Sequence, residues 1–87
     1  MWYTYVLRCA DGSLYIGTTN DLPRRVARHH EGRASRFTAS RRPVTLAYSE
    51  PYGSRDDAFA RERQLKRWTR AKKEALVAHD TALLKRL

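Results

Sequence analysis

The sequence predicts a small α/β domain of the α+β type, in which a three-stranded antiparallel sheet is flanked by helices in the order β-β-α-β-α-α. Two segments near the N-terminus are rich in aromatic and β-branched residues and are separated by the turn Ala10-Asp11-Gly12. Capping residues then precede each segment that has helical periodicity. With 87 residues, the chain has room for one domain with one modest core.

The first two strands are predicted to form a hairpin that brings two tyrosines to one face. A two-residue loop would place Tyr5 and Tyr15 on opposite faces of the sheet. If both serve one site, the turn has three residues, with Gly12 in the left-handed conformation. The two tyrosines are then diagonal neighbours, about 7–8 Å apart at the backbone. The expected pairs are Tyr5 with Gly17 and Leu7 with Tyr15.

The middle of the chain is predicted to contain a helix, a loop and the third strand. Asp21 is suited to cap the helix at its start, and Gly32 is placed to end it. We expect residues 33–43 to form a loop or irregular stretch. Alternating apolar residues then predict a strand with one buried face, formed by Val44, Leu46 and Tyr48.

The last third of the chain is predicted to be helical. Ser54, with Asp57 three residues later, resembles a capping box and predicts a helix that runs to about Trp68. Thr69 can cap a third helix, and Asp80 can open a last short turn.

The charge of the chain favours a polyanionic partner over a merely soluble basic protein. Lys and Arg number 18 against 9 Asp and Glu, which gives a net charge of +9. No apolar run approaches the roughly 20 residues needed to span a bilayer, and the N-terminus lacks the order of a signal peptide. The single cysteine, Cys9, excludes an internal disulfide and fits a reducing compartment. We therefore expect a cytoplasmic protein with no membrane and no disulfide partner.

Residues 15–29 are predicted to form the end of a strand, a short turn and the first turns of a helix. Such a junction presents free backbone N–H groups to an anion, and the arginines that follow favour phosphate. Phe37 among these arginines suits base stacking, or alternatively caps the core. The residues expected to contact nucleic acid are Arg24, Arg28, Arg33, Arg36, Phe37, Arg41, Arg42 and Lys66.

Glu62 lies inside the apolar arc of the predicted helix, between Ala58 and Leu65. A carboxylate on a core-facing side is costly to bury unless it is paired or bound to a metal ion. A salt bridge to an arginine and a metal site are both consistent with this position.

At this point the motifs resemble those of a known family. Tyr3-Thr4-Tyr5, followed ten residues after its last tyrosine by Tyr15-Ile16-Gly17, is similar to the GIY-YIG nuclease domain. The likeness continues in Arg25, His29 and Glu62, and it covers essentially the whole chain. The chain resembles the small, stand-alone single-domain bacterial members.

The resemblance implies hydrolysis of phosphodiester bonds in DNA, or alternatively RNA, with one Mg²⁺ or Mn²⁺ ion. Glu62 would be the sole protein ligand of that ion. Tyr5 and Tyr15 would position or deprotonate the attacking water. Arg25 would lower the pKa of these tyrosines and hold a phosphate oxygen, and His29 would orient a tyrosine or shuttle a proton.

The resemblance also implies that residues 1–80 form the nuclease domain and residues 81–87 its C-terminal helical tail. The main alternative is a nucleic-acid-binding module on the same fold, with weak or absent catalysis. It is favoured because many family nucleases have an asparagine near the end of the domain, whereas this chain's only asparagine is Asn20. A basic protein-interaction domain would leave Glu62 and both tyrosines unexplained.

Overall fold

Three antiparallel strands form one sheet in the order β2-β1-β3, so β2 and β3 are its edges. The structure, a computed structural model, describes all of residues 1–87 and confirms the predicted fold class. The strands are β1 (Trp2–Arg8), β2 (Leu14–Thr19) and β3 (Thr45–Tyr52). The helices are α1 (Leu22–His30), α2 (Arg36–Ala39), α3 (Arg55–Lys66), α4 (Arg70–Val77) and α5 (Thr81–Arg86).

The hairpin between β1 and β2 has the predicted register. Gly12 adopts a φ of 85°, which is the left-handed conformation that the three-residue turn requires. Tyr5 pairs with Gly17, and Leu7 pairs with Tyr15. Tyr5 and Tyr15 therefore lie on the same face of the sheet.

The prediction that Val44, Leu46 and Tyr48 share one buried face is wrong. The pairing of β1 with β3 shifts between Val6 and Leu7, so that Val6 pairs with Tyr48 and Leu7 pairs with Leu46. One extra residue in β3 resets the alternation of its side chains. Val44 is buried against Leu7, Tyr48 packs on the other face of the sheet, and Leu46 is exposed.

The sheet separates two layers of core. On the α1 side the buried apolar residues are Tyr5, Leu7, Cys9 and Val44. On the side of α3 and α4 they are Val6, Ile16, Leu65 and Leu76. Both tyrosines of interest thus face α1, whereas α3 covers the opposite face.

Residues 33–43 were expected to be a loop, but they contain the short helix α2. Ser35 caps this helix, because its side chain accepts a hydrogen bond from the backbone N–H of Thr38, with N···O at 3.1 Å. Four residues are too few to show helical periodicity, so only the capping serine marked this helix in the sequence.

Gly17 provides the space that the Tyr5 ring occupies. A Cβ atom on Gly17 would overlap the hydroxyl group of Tyr5 and lie 2.5 Å from its Cζ. We predict that Gly17→Ala lowers the free energy of unfolding by about 1–3 kcal/mol through this overpacking. Urea denaturation measures the change. Gly53→Ala is the control, because no atom lies within 4 Å of the added methyl group. Equal stabilities for the two variants would contradict the prediction.

Candidate active site

A buried chain of hydrogen bonds joins Tyr5 on β1 to the helix α2 through His29 on α1. Tyr5 and His29 are both 0% exposed. The Tyr5 hydroxyl lies 2.8 Å from Nε2 of His29, and Nδ1 of the same ring lies 2.8 Å from Oγ1 of Thr38. Oγ1 of Thr38 is in turn 2.8 Å from Oγ of Ser35. The family resemblance implied that His29 orients one of the tyrosines or shuttles a proton, and it gave no role to Thr38 or Ser35.

Tyr15 is the outer tyrosine of the pair and is only half-buried. Its ring centroid lies 6.5 Å from that of Tyr5 and 5.2 Å from that of His29. Its outer neighbour is Phe37, which stacks on it with a centroid distance of 6.0 Å. Phe37 remains 38% exposed, so it both covers the tyrosine and presents an aromatic surface to solvent.

Burial sets the protonation states of the inner pair. It raises the pKa of Tyr5 to about 12, and the neighbouring Tyr15 adds to this rise. Arg25 lowers the pKa of Tyr5, as expected, but burial has the larger effect, so the pKa as a whole rises above its usual value. Burial also lowers the pKa of His29 to about 4, with contributions from Arg25 and His30. At neutral pH, Tyr5 therefore keeps its proton and His29 is uncharged.

An open groove of about 570 Å³ lies beside this cluster, at the start of α1. Its lining residues are Thr19, Asn20, Asp21, Arg24, Arg25, Arg28, Arg33 and Ala34. None of the four arginines forms a salt bridge. The only acid, Asp21, accepts a hydrogen bond from the backbone N–H of Arg24 at 3.2 Å and so caps the helix. The groove therefore has an excess of positive charge that suits phosphate groups.

The other predicted nucleic-acid contacts lie outside this groove. Arg41 forms a salt bridge with Asp11 at 3.1 Å, and its guanidinium carbon lies 3.9 Å from the ring centroid of Phe37. Arg42 donates a hydrogen bond from Nε to the carbonyl of Ala39, at 3.1 Å. Arg36 is exposed on α2. Arg41 and Arg42 are thus partly engaged in holding the segment around α2.

Glu62 approaches the cluster from the α3 side of the sheet, at edge strand β2. Its side chain is 14% exposed and lies 2.8 Å from Nζ of Lys66, one helical turn later. Its other oxygen accepts a hydrogen bond from Oγ1 of Thr18, at 2.5 Å. Its charge still acts across the sheet, because it adds to the rise in the pKa of Tyr5. The ion-pair partner is therefore a lysine and not an arginine, and Lys66 was predicted only as a nucleic-acid contact.

The groups around Glu62 fit a magnesium ion that is bound mainly through water and substrate. No cluster of three or more His, Cys, Asp or Glu side chains is arranged to hold a metal. Mg²⁺ usually retains several waters and needs only one or two carboxylates together with phosphate oxygens. Lys66 is 53% exposed, so it can move away and free one oxygen of Glu62. A single carboxylate that is hydrogen-bonded to Thr18, the neighbour of the groove residue Thr19, is compatible with these needs.

A family model described as the GIY-YIG catalytic domain matches residues 1–75. The chain belongs to the GIY-YIG family. UPF0213 proteins from Bacillus pumilus and Natronomonas pharaonis are each 47% identical to it, over 75 and 79 residues respectively. These matches cover 86% and 91% of this chain, and 76% and 93% of the two relatives.

The fold of this GIY-YIG chain is similar to a solved structure of a relative. The solution NMR structure of a UPF0213 protein from Bacillus halodurans matches with a TM-score of 0.58 and 38% sequence identity. The match covers 90% of this chain and 84% of that chain. GIY-YIG is a nuclease family that acts on nucleic acids, whereas the name UPF0213 states no activity. None of the five helices of this chain is long and apolar enough to cross a membrane.

We predict that burial of neutral His29 makes the domain less stable in mild acid. The pKa of this histidine is about 4 in the folded state, against 6.5 as its ordinary value. The unfolded chain therefore binds more protons between these values, and the free energy of unfolding falls by about 3 kcal/mol as the pH drops from 6.5 to 4. Urea unfolding at several pH values measures this.

The matched controls separate His29 from the other histidines. His29→Gln removes the titrating ring, so its pH dependence should be shallower than that of the wild type. His79 is exposed and has a φ of 56°, which asparagine tolerates, so His79→Asn should keep the wild-type dependence. A wild-type stability that does not change over this range would contradict the prediction.

Proposed function

We propose that this GIY-YIG chain hydrolyses phosphodiester bonds in DNA, using one Mg²⁺ or Mn²⁺ ion bound through Glu62. One observation carries the proposal: Arg25, which lines the unpaired arginine groove, and the carboxylate of Glu62 both act on buried Tyr5, whose ring lies 6.5 Å from that of half-buried Tyr15. In this proposal the groove binds phosphate, a tyrosine transfers a proton and Glu62 binds the metal ion. The free, buried Cys9 supports a cytoplasmic location.

The arginine groove is proposed to bind the sugar–phosphate backbone next to the bond that is cleaved. Arg24, Arg28 and Arg33 are free of carboxylate partners, so none has to break an ion pair to bind phosphate. Contacts of this kind position the strand without reading its sequence. RNA presents the same backbone charge and is the alternative substrate.

The two tyrosines are proposed to have different roles because they differ in exposure. Tyr15 can reach solvent, so it positions the attacking water. Tyr5 is fully buried and hydrogen-bonded to His29, so it holds the neighbouring side chains of the site in place from the protein interior. Arg25 holds a nonbridging phosphate oxygen, since it lines the groove and acts on Tyr5.

The divalent ion would supply the stabilisation of negative charge that the side chains lack. When bound at Glu62, it would stabilise charge on the phosphate and on the leaving oxygen. The chain's own part is to supply that carboxylate, which Thr18 holds in place by a hydrogen bond.

A binding module without catalysis is the second candidate. It is favoured by the ion pair between Glu62 and Lys66 and by the high pKa of Tyr5. Incubation with labelled single-stranded, duplex and branched DNA and with RNA, in Mg²⁺, Mn²⁺ or EDTA, decides between the two. Metal-dependent products support the nuclease, and binding without products in every condition supports the module.

We predict that Glu62→Gln abolishes cleavage and leaves DNA binding intact or stronger. The amide keeps the shape and can still accept the hydrogen bond from Thr18, but it loses the charge that attracts a cation. Turnover should fall by about 100-fold or more, since a main electrostatic contribution is removed. Isothermal titration with Mg²⁺ should show binding to the wild type only.

Glu31→Gln is the matched control, because Glu31 is exposed near the arginines and forms no salt bridge. This control should retain cleavage. A stable Glu62→Gln variant with undiminished Mg²⁺-dependent cleavage would refute the role given to Glu62. A lower melting temperature, with cleavage in proportion to folded protein, would instead assign Glu62 to a structural ion pair.

We predict that binding to DNA depends steeply on salt through the arginine groove. If about four to six phosphates are neutralised, affinity falls by roughly two to three decades between 50 and 200 mM salt. Changing Arg24, Arg28 and Arg33 together to Gln should flatten the slope of log affinity against log salt by about 3. Fluorescence anisotropy measures both slopes. A triple change of Arg63, Arg67 and Arg86 removes the same charge elsewhere, and an equal flattening in that control would refute a specific role of the groove.

A further inference from the structure

Two consecutive residues of the short helix α2 link it to the two tyrosines of the candidate site. Phe37 stacks on the ring of Tyr15, at 6.0 Å between centroids. Thr38, which is buried, is linked to Tyr5 through the ring of His29. This segment was expected to be a loop that contacts nucleic acid, with Phe37 alternatively capping the core, and no link to the tyrosines was expected.

The surroundings of Thr38 allow it to accept a hydrogen bond from His29. A threonine hydroxyl has one proton to donate and two lone pairs. Oγ1 of Thr38 lies 2.8 Å from Oγ of Ser35 and 3.4 Å from the carbonyl oxygen of Ser35, so its proton has acceptors other than His29. It can then accept from Nδ1 of His29, at 2.8 Å. In that arrangement the neutral ring has its proton on Nδ1, and Nε2 is an acceptor.

The surroundings of Tyr5 favour this arrangement. Arg25 lowers the pKa of Tyr5 through its positive charge, and a guanidinium group has no lone pair with which to accept a proton. The only partner that can accept the Tyr5 proton is Nε2 of His29, at 2.8 Å. No buried side-chain nitrogen or oxygen atom is left without a partner, so the chain of hydrogen bonds is complete.

We propose that Thr38 is a positioning residue, which fixes the His29 tautomer and thereby directs the Tyr5 proton inward and its lone pairs toward Arg25. With the opposite tautomer, Nε2–H would donate to Tyr5, and the hydroxyl proton would turn toward a guanidinium that cannot accept it. The role in turnover rests on the proposed nuclease function, whereas the tautomer is a property of the folded chain alone.

The tautomer can be read directly by long-range ¹H–¹⁵N correlation spectra of the labelled protein at pH 7. We expect the Nδ1–H form of His29 in the wild type and in Thr38→Ser, which keeps the hydroxyl. Thr38→Val has the same shape without the hydroxyl, so we expect the ring to change to the Nε2–H form. Thr45→Val alters an exposed threonine on β3 and should keep the Nδ1–H form. A wild-type ring protonated on Nε2 would overturn the proposal, even if Thr38→Val failed to fold.

Cleavage assays on the same variants test the consequence for turnover. We expect kcat to fall by about 10- to 100-fold in Thr38→Val, with little change in KM. The reason is that a wrongly oriented Tyr5 hydroxyl affects the chemical step more than it affects substrate binding. Thr38→Ser should restore most of kcat, and Thr45→Val should match the wild type. A switched tautomer with unchanged kcat would overturn the positioning role. Absence of wild-type cleavage on every nucleic acid would refute the nuclease function, and the spectra would still decide the tautomer.

Discussion

The hydrogen bond between Tyr5 and His29 is the interaction on which the candidate site depends. It joins the central strand to α1 inside the core, where neither group can turn to water instead. It exists only because Gly17 lacks a Cβ and the hairpin register places that glycine opposite Tyr5. Burial of this pair as neutral groups follows, since a charged ring or phenolate there would be poorly solvated. Tyr15, Arg25 and Glu62 keep some exposure and are the residues that we propose to face the substrate.

The two layers of the domain therefore contribute different chemistry. The α1 layer supplies a rigid aromatic pair and a groove with uncompensated positive charge. The α3 layer supplies one carboxylate, held by Thr18 and Lys66 at the sheet edge. Neither layer has by itself both the arginine groove and the carboxylate that we propose as the metal ligand. The strand between them, β2, carries Tyr15 on one face and Thr18 on the other, so it connects the two contributions.

Sequence reasoning predicted the features that local rules determine. The fold class follows from residue type and from the periods of strand and helix. The three-residue turn at Gly12 follows from the two-residue period of a strand once Tyr5 and Tyr15 are assigned to one site. The extra residue in β3 was missed, because a pattern of alternation contains no sign of a shifted partner. The role of Thr38 was missed because its hydrogen bond to His29 depends on how α2 packs on α1. The lysine partner of Glu62 lies four residues later on the same helix, whereas the apolar arc around Glu62 indicated an arginine or a metal ion as its partner.

The position of Glu62 at the rim of the sheet also restricts how copies of this chain can assemble. An edge strand offers unpaired backbone groups to which a further strand can add. A strand added to β2 would cover the line along which the side chains of the two layers meet. Such pairing would therefore block a nucleic acid from the proposed site. At the opposite edge strand, β3, the sheet can be extended without covering β2.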